Sequence, residues 1–167
     1  MQTKSIIAAS LCSLMVLGTL TGCSGIGYGT ATSDQTVYSA QFAQSPLEYT
    51  NFLNKEIEAV TNQLSTQIML AESVSKNNYP VADAITSVGD SIQIVEECIN
   101  NVDTMQPPAS YSENRTSTLS LMQNAKSSLE AYKAALMEGN SSAIESSKSI
   151  MQSDYIAVTA QFGAYWE

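Results

Sequence analysis

The sequence predicts an all-α protein: an up-down-up-down antiparallel four-helix bundle over residues 46–167, behind a flexible N-terminal tether. Three observations lead there. Apolar residues recur at helical spacing in four separate stretches, the breaks between stretches carry Pro, Gly or Asn, and every break is short. Short breaks make neighbouring helices antiparallel. Each apolar stripe is too narrow for a wholly buried helix and too apolar for an exposed one, so the four must cover one another.

The first helix is expected over 46–77. Ser45-Pro46-Leu47-Glu48 opens it with a capping Ser, a Pro at the first helical position and a Glu three residues after the cap. Leu53, Ile57, Val60, Leu64, Ala71 and Val74 share one face. Asn77-Asn78-Tyr79-Pro80 ends the helix, since Asn tolerates a left-handed backbone and Pro cannot continue the hydrogen bonding. The second helix is expected over 80–105, where Val81, Ile85, Val88, Ile92, Val95, Ile99 and Val102 follow at alternating steps of four and three. That spacing predicts a buried seam with Ile92 at its centre. Ala84, Ser91 and Cys98 flank the seam every seven residues, small enough for a neighbour to come close, while Asp83, Asp90 and Glu97 mark the outer side.

Pro107-Pro108 closes the second helix, and Ser110-Tyr111-Ser112-Glu113 has the form of a capping box for a third over 110–138. Met122, Ala125, Leu129, Tyr132 and Leu136 form its stripe, and Gly139 stands where a C-terminal cap belongs. Ser142-Ala143-Ile144-Glu145 has the same form for a fourth helix over 141–166, lined by Ile144, Met151, Tyr155, Val158, Phe162 and Tyr165.

With 16 Asp plus Glu against 7 Lys plus Arg, the chain carries a net −9 and repels nucleic acid. It has no His, the commonest general base and transition-metal ligand, and so lacks the Glu-x-x-His pairs that hold paired metals in helical bundles. Glu56 with Glu58, and Glu96 with Glu97, are expected on the solvated surface, and Met69, Met105, Met122, Met137 and Met151 are expected as core filler. The expectation is a non-enzymatic chain with no metal and no cofactor. Cys98, beside the seam, is expected to be a buried, unreactive thiol.

Ahead of the bundle, residues 1–22 carry Lys4 as their only charge, then an apolar run from Ile6 to Leu20, then small residues before Cys23. A positive start, a short apolar middle and a small-residue end make an export signal, and the run is shorter than the roughly 20 residues a membrane helix needs. Leu20-Thr21-Gly22-Cys23 resembles the lipobox of bacterial lipoproteins. The resemblance implies cleavage between Gly22 and Cys23, a diacylglyceryl group on the Cys23 sulfur carrying palmitate-type chains, and attachment to membrane lipid. It implies the outer face of the cell membrane or, since Ser24 is not an acidic retention signal, the outer membrane of a two-membrane bacterium. Residues 23–45, rich in Gly, Ser and Thr, have the composition of a tether.

The predicted topology gathers Tyr49, Phe52, Tyr111, Phe162, Tyr165 and Trp166 at the end of the bundle where the tether enters. They serve either as an apolar plug or as a collar facing a partner or the membrane. Two roles follow from the sequence: a membrane-anchored interaction module with an envelope protein partner, or a bundle that binds a small ligand in a cavity near Tyr132 and Tyr155.

Overall fold

The computed structural model describes residues 45–161 and the backbone of Gln41–Phe42. The export segment, Gly22, Cys23, the rest of the tether, and Phe162, Tyr165 and Trp166 lie outside the described residues. Four helices, α1 (Pro46–Ser75), α2 (Val81–Thr104), α3 (Ser112–Glu138) and α4 (Ser141–Gln161), pack in a ring. Each helix lies against its sequence neighbours, and α1 closes the ring against α4. Side-chain pairs run in opposite senses along adjacent helices, as an antiparallel bundle requires: Gln67 meets Ser87 and Ser91 while Glu56 meets Asn101. Between α2 and α3, Lys126 meets Glu96 and Arg115 meets Val102. The all-α four-helix architecture read from the sequence is the observed one. Among the described residues, no helix is long and apolar enough to cross a membrane.

Local chemistry sets the ends of the helices. Ser45 caps α1 by accepting a hydrogen bond from the Glu48 N–H at 3.1 Å. Asn77 adopts φ 55°, and the Asn78 N–H then reaches back to the Ser73 carbonyl at 2.9 Å, satisfying an end carbonyl of α1. Gly139 does the same for α3 at φ 63°. Two expected capping boxes are corrected. Ala109–Tyr111 forms a single 3₁₀ turn, and α3 starts at Ser112 without a side-chain cap. The start of α4 is capped by Asn140, whose Oδ1 accepts from the Ala143 N–H at 3.1 Å, because Asn140 immediately follows the left-handed Gly139. Arg115 closes α2: its guanidinium donates to the carbonyls of Val102 and Asp103 and to the Asp103 carboxylate, a cation placed at a helix C-terminus.

After α2 the chain runs extended, and β2 (Met105–Gln106) pairs in parallel with β1 (Gln41–Phe42). The sequence assigns Gln41 and Phe42 to the tether. The structure instead fixes their backbone on the bundle, beside the α2–α3 connection.

The expected stripes of α1 and α3 are buried throughout, and Ile144, Met151 and Val158 are buried on α4. In α2 the buried face differs from the predicted seam. Its buried members are Ala84, Val88, Ser91, Val95, Cys98 and Val102, whereas Ile85, Ile92 and Ile99 are half-buried and Val81 is 43% exposed. At 100° per residue, this rotates the buried face by roughly 50° from the Ile-centred seam toward the small residues. Ser91 and Cys98 of that line meet α1, the first through Gln67 and Gln63 and the second beside Glu56, and the isoleucines lie to the flank. Two methionines are also corrected: Met122 and Met151 are core, but Met69 and Met137 are 61% and 68% exposed. Neither lies on the face its helix turns inward.

The rotated face predicts an order of mutational cost. Val95→Asp places a carboxylate where nothing pairs it and should cost several kcal/mol, a large part of the ~5–15 kcal/mol a domain has. Ile92→Asp, half-exposed, should cost clearly less, and Asp90→Asn on the outer side only a few tenths of a kcal/mol. Thermal melts followed by circular dichroism measure all three. Equal losses at Val95 and Ile92 would contradict the rotation.

Candidate functional site

At the end of the bundle formed by the start of α1 and the α2–α3 connection, three of the predicted aromatics come together. The Tyr49 ring lies 6.2 Å from Phe52 and 5.7 Å from Tyr111, the latter edge-on at 69°. Tyr49 is wholly buried, so it does not face a partner or the membrane as the collar reading required. Its position is that of a plug, with Phe52 and Tyr111 half-buried around it. These two aromatic pairs stabilise this end beyond their buried area, by about 0.5–1.5 kcal/mol per pair.

Along α1 and α2 the interface is polar in a way the sequence reading missed. Gln67 is wholly buried, and its Nε2 donates to the hydroxyls of Ser87 and Ser91, both at 2.9 Å. Ser91 in turn donates to Gln63 Oε1 at 2.9 Å. The Gln67 Oε1 is buried without a partner among the described residues, a loss of about 1–3 kcal/mol for an amide oxygen taken from water. A signal for Gln67 was present in the sequence. The α1 stripe steps from Leu64 directly to Ala71, and Gln67 occupies the position where the period calls for an apolar residue.

Further down the same interface Glu56 is only 5% exposed, which corrects its assignment to the solvated surface. It accepts a hydrogen bond from Asn101 Nδ2 at 3.2 Å and lies beside Cys98. Its i+4 neighbour Val60 and i−3 neighbour Leu53 are core residues, so its helix position lies at the edge of the stripe turned to α2. Glu58 is exposed, as are Glu96 and Glu97, and Glu96 pairs with Lys126 at 2.5 Å. Cys98 is buried with a free thiol, as expected. Burial first, and then the Glu56 carboxylate, push that thiol from 9.0 up to about 12, so it is protonated and unreactive at neutral pH. Among the described residues no three His, Cys, Asp or Glu side chains lie together as a metal would need.

Above this layer, toward the α1–α2 connection, a cleft of about 400 Å³ opens to solvent. Gln63 and Thr66 of α1, Tyr79 of the connection, and Asp83, Thr86, Ser87, Asp90 and Ser91 of α2 line it. Tyr132 and Tyr155, near which a cavity is expected from the sequence, are not among the residues that line this cleft. Tyr132 is instead a wholly buried core residue, and its phenol has no hydrogen-bond partner among the described residues. Burial pushes that phenol from 10.0 up to about 12.

Both raised groups tie stability to alkaline pH. In the unfolded chain the thiol and the phenol ionise near 9.0 and 10.0, whereas in the fold they hold their protons to about 12. Between those values the folded state binds more protons, so stability is complete below pH 9 and falls as pH rises. Tyr132→Phe should leave stability at pH 7 unchanged or raised by up to about 1 kcal/mol, since it removes an unpaired buried hydroxyl, and should flatten the decline above pH 10. Urea melts from pH 7 to 11 test this, and an equally steep decline in the variant would contradict it.

Comparison of the chain with family models, with curated proteins and with solved structures gives no match.

Proposed function

We propose that this protein is a lipid-anchored bacterial envelope protein whose helical bundle acts by interaction rather than catalysis. The observation that carries the reading is Leu20-Thr21-Gly22-Cys23 at the end of a short apolar run. Two acyl chains on Cys23, at about 0.8 kcal/mol per buried CH₂, would hold the protein at a membrane surface on the order of 20 kcal/mol. The location is the outer face of the cell membrane, or the outer membrane in a two-membrane bacterium. The bundle supports the reading in one respect: β1 and β2 pair beside the α2–α3 connection, so the chain enters the domain at the plugged aromatic end. The cleft lies toward the opposite end of helices such as α1, whose 30 residues extend about 45 Å. Entry of the chain at one end and an open recess toward the other suit a module that meets its partner away from the lipid.

A second reading, binding of a small ligand, is favoured by the cleft itself. The two readings are compatible, since an anchored bundle can present such a recess.

Cys23→Ala should abolish incorporation of labelled palmitate and shift the protein from the membrane fraction to the soluble one, or leave it uncut. Label entering the variant at the original level would show that Cys23 is not the lipid site.

A further inference from the structure

We propose that the cleft between α1 and α2 is a binding site for an uncharged saccharide. The inference goes beyond the anchoring role and does not depend on it. Its ground is the pattern of donors and acceptors that the lining residues keep after their own bonds are counted. Thr66 and Thr86 donate their hydroxyl protons to the Asn62 and Ala82 carbonyls of their own helices, at 2.9 and 3.2 Å, and so offer lone pairs to the cleft. Ser87 is in the opposite state: its oxygen accepts from Gln67, leaving its proton to give. Gln63 accepts from Ser91 through Oε1 and keeps its amide N–H groups. Asp83 and Asp90, both exposed, add two carboxylates seven residues apart on α2, and among the described residues no cation lines the cleft.

This array discriminates among ligand chemistries. An anion meets two carboxylates and no countercharge. A polyamine brings only donors, which suit the carboxylates and leave the Ser87 hydroxyl and the Gln63 amide without acceptors. A sugar hydroxyl both donates and accepts, so it can meet every group present. Tyr79 supplies an aromatic surface against which the C–H face of a sugar ring packs. The volume is at the small end of the roughly 300–1,000 Å³ range of ligand sites, enough for one or two rings.

Two hydroxyls that line the cleft are held from behind by a buried amide. Gln67 is wholly buried, and its amide is bonded to two lining hydroxyls while its Oε1 stays unpaired. A surface dent between helices needs no such residue. Here a polar group is held under the recess at a position where the α1 period calls for an apolar side chain, and it fixes which way Ser87 and Ser91 face.

The test is saturation-transfer difference NMR on the full chain in detergent micelles, with cellobiose, galacturonate and spermidine at equal millimolar concentrations. Signal is expected from cellobiose and not from galacturonate. Ser87→Ala removes the donor and should weaken cellobiose binding about tenfold. Asp83→Asn, an exposed position that the fold tolerates, should weaken it severalfold. Circular dichroism confirms that each variant is folded, and Asp83→Asn carries the test alone if Ser87→Ala is not. No cellobiose signal, equal signals from cellobiose and galacturonate, signal from spermidine alone, or cellobiose binding unchanged in the folded variants would each overturn the proposal. None of these outcomes depends on whether Cys23 is lipidated.

Discussion

The register of α1 on α2, marked by the polar pairs between them, is the constraint on which the rest of the molecule depends. Ala84, Ser91 and Cys98 recur every seven residues on α2 and are all buried. Ser91 and Cys98 on that line meet α1, and the bulkier Ile85, Ile92 and Ile99 lie to the flank, half-exposed. Several consequences follow together. Ser87 and Ser91 come within hydrogen-bond distance of Gln67, Cys98 comes beside Glu56, and Asn101 reaches the Glu56 carboxylate. Larger residues on that line would separate the helices and leave Gln67 and Glu56 without partners.

Polar groups in such an interface contribute little net stability but much definition. Each hydrogen bond is worth about 0.5–1.5 kcal/mol net, while a slip of the two helices would strand the amide of Gln67 and the carboxylate of Glu56 at larger cost. The apolar core on α1, α3 and α4 supplies the driving force through residues such as Leu53, Leu64, Met122, Leu129 and Met151. The register of α1 on α2 is then set by the polar pairs. That division also explains the position of the cleft: its lining hydroxyls belong to the same layer, at the point where it emerges from between the helices.

The helices themselves were legible in the sequence because their signals are local. Ser45 before Pro46, Asn77 before Pro80 and Gly139 mark ends through backbone preferences that hold in any context. The stripes of α1 and α3 were legible because their large residues coincide with their buried ones. On α2 the two separate: periodicity weighs isoleucine above alanine, but the buried face carries Ala84, Ser91 and Cys98 with the valines and leaves the isoleucines at its edge. Glu56 was assigned to the surface for a related reason, since charge alone does not tell which carboxylate has an Asn101 opposite it. The capping boxes before α3 and α4 failed because their residues match the pattern while a 3₁₀ turn and Asn140 supply the actual helix starts. Of the candidate site, only the gap at Gln67 was readable, as a break in the stripe. That Ser87, Thr86 and Tyr79 converge above it depends on the α1–α2 register, which no single helix encodes.

That register is the central claim, and a double-mutant cycle measures it directly. Gln67→Ala, Ser91→Ala and the double variant would be compared in urea melts at neutral pH. If the Gln67 amide donates to Ser91 inside the interface, the two losses should be non-additive by about 1 kcal/mol, because the second substitution removes a bond already lost. Additive losses, within a few tenths of a kcal/mol, would mean that the two side chains do not meet and that α1 does not lie on α2 along the Ala84, Ser91 and Cys98 line.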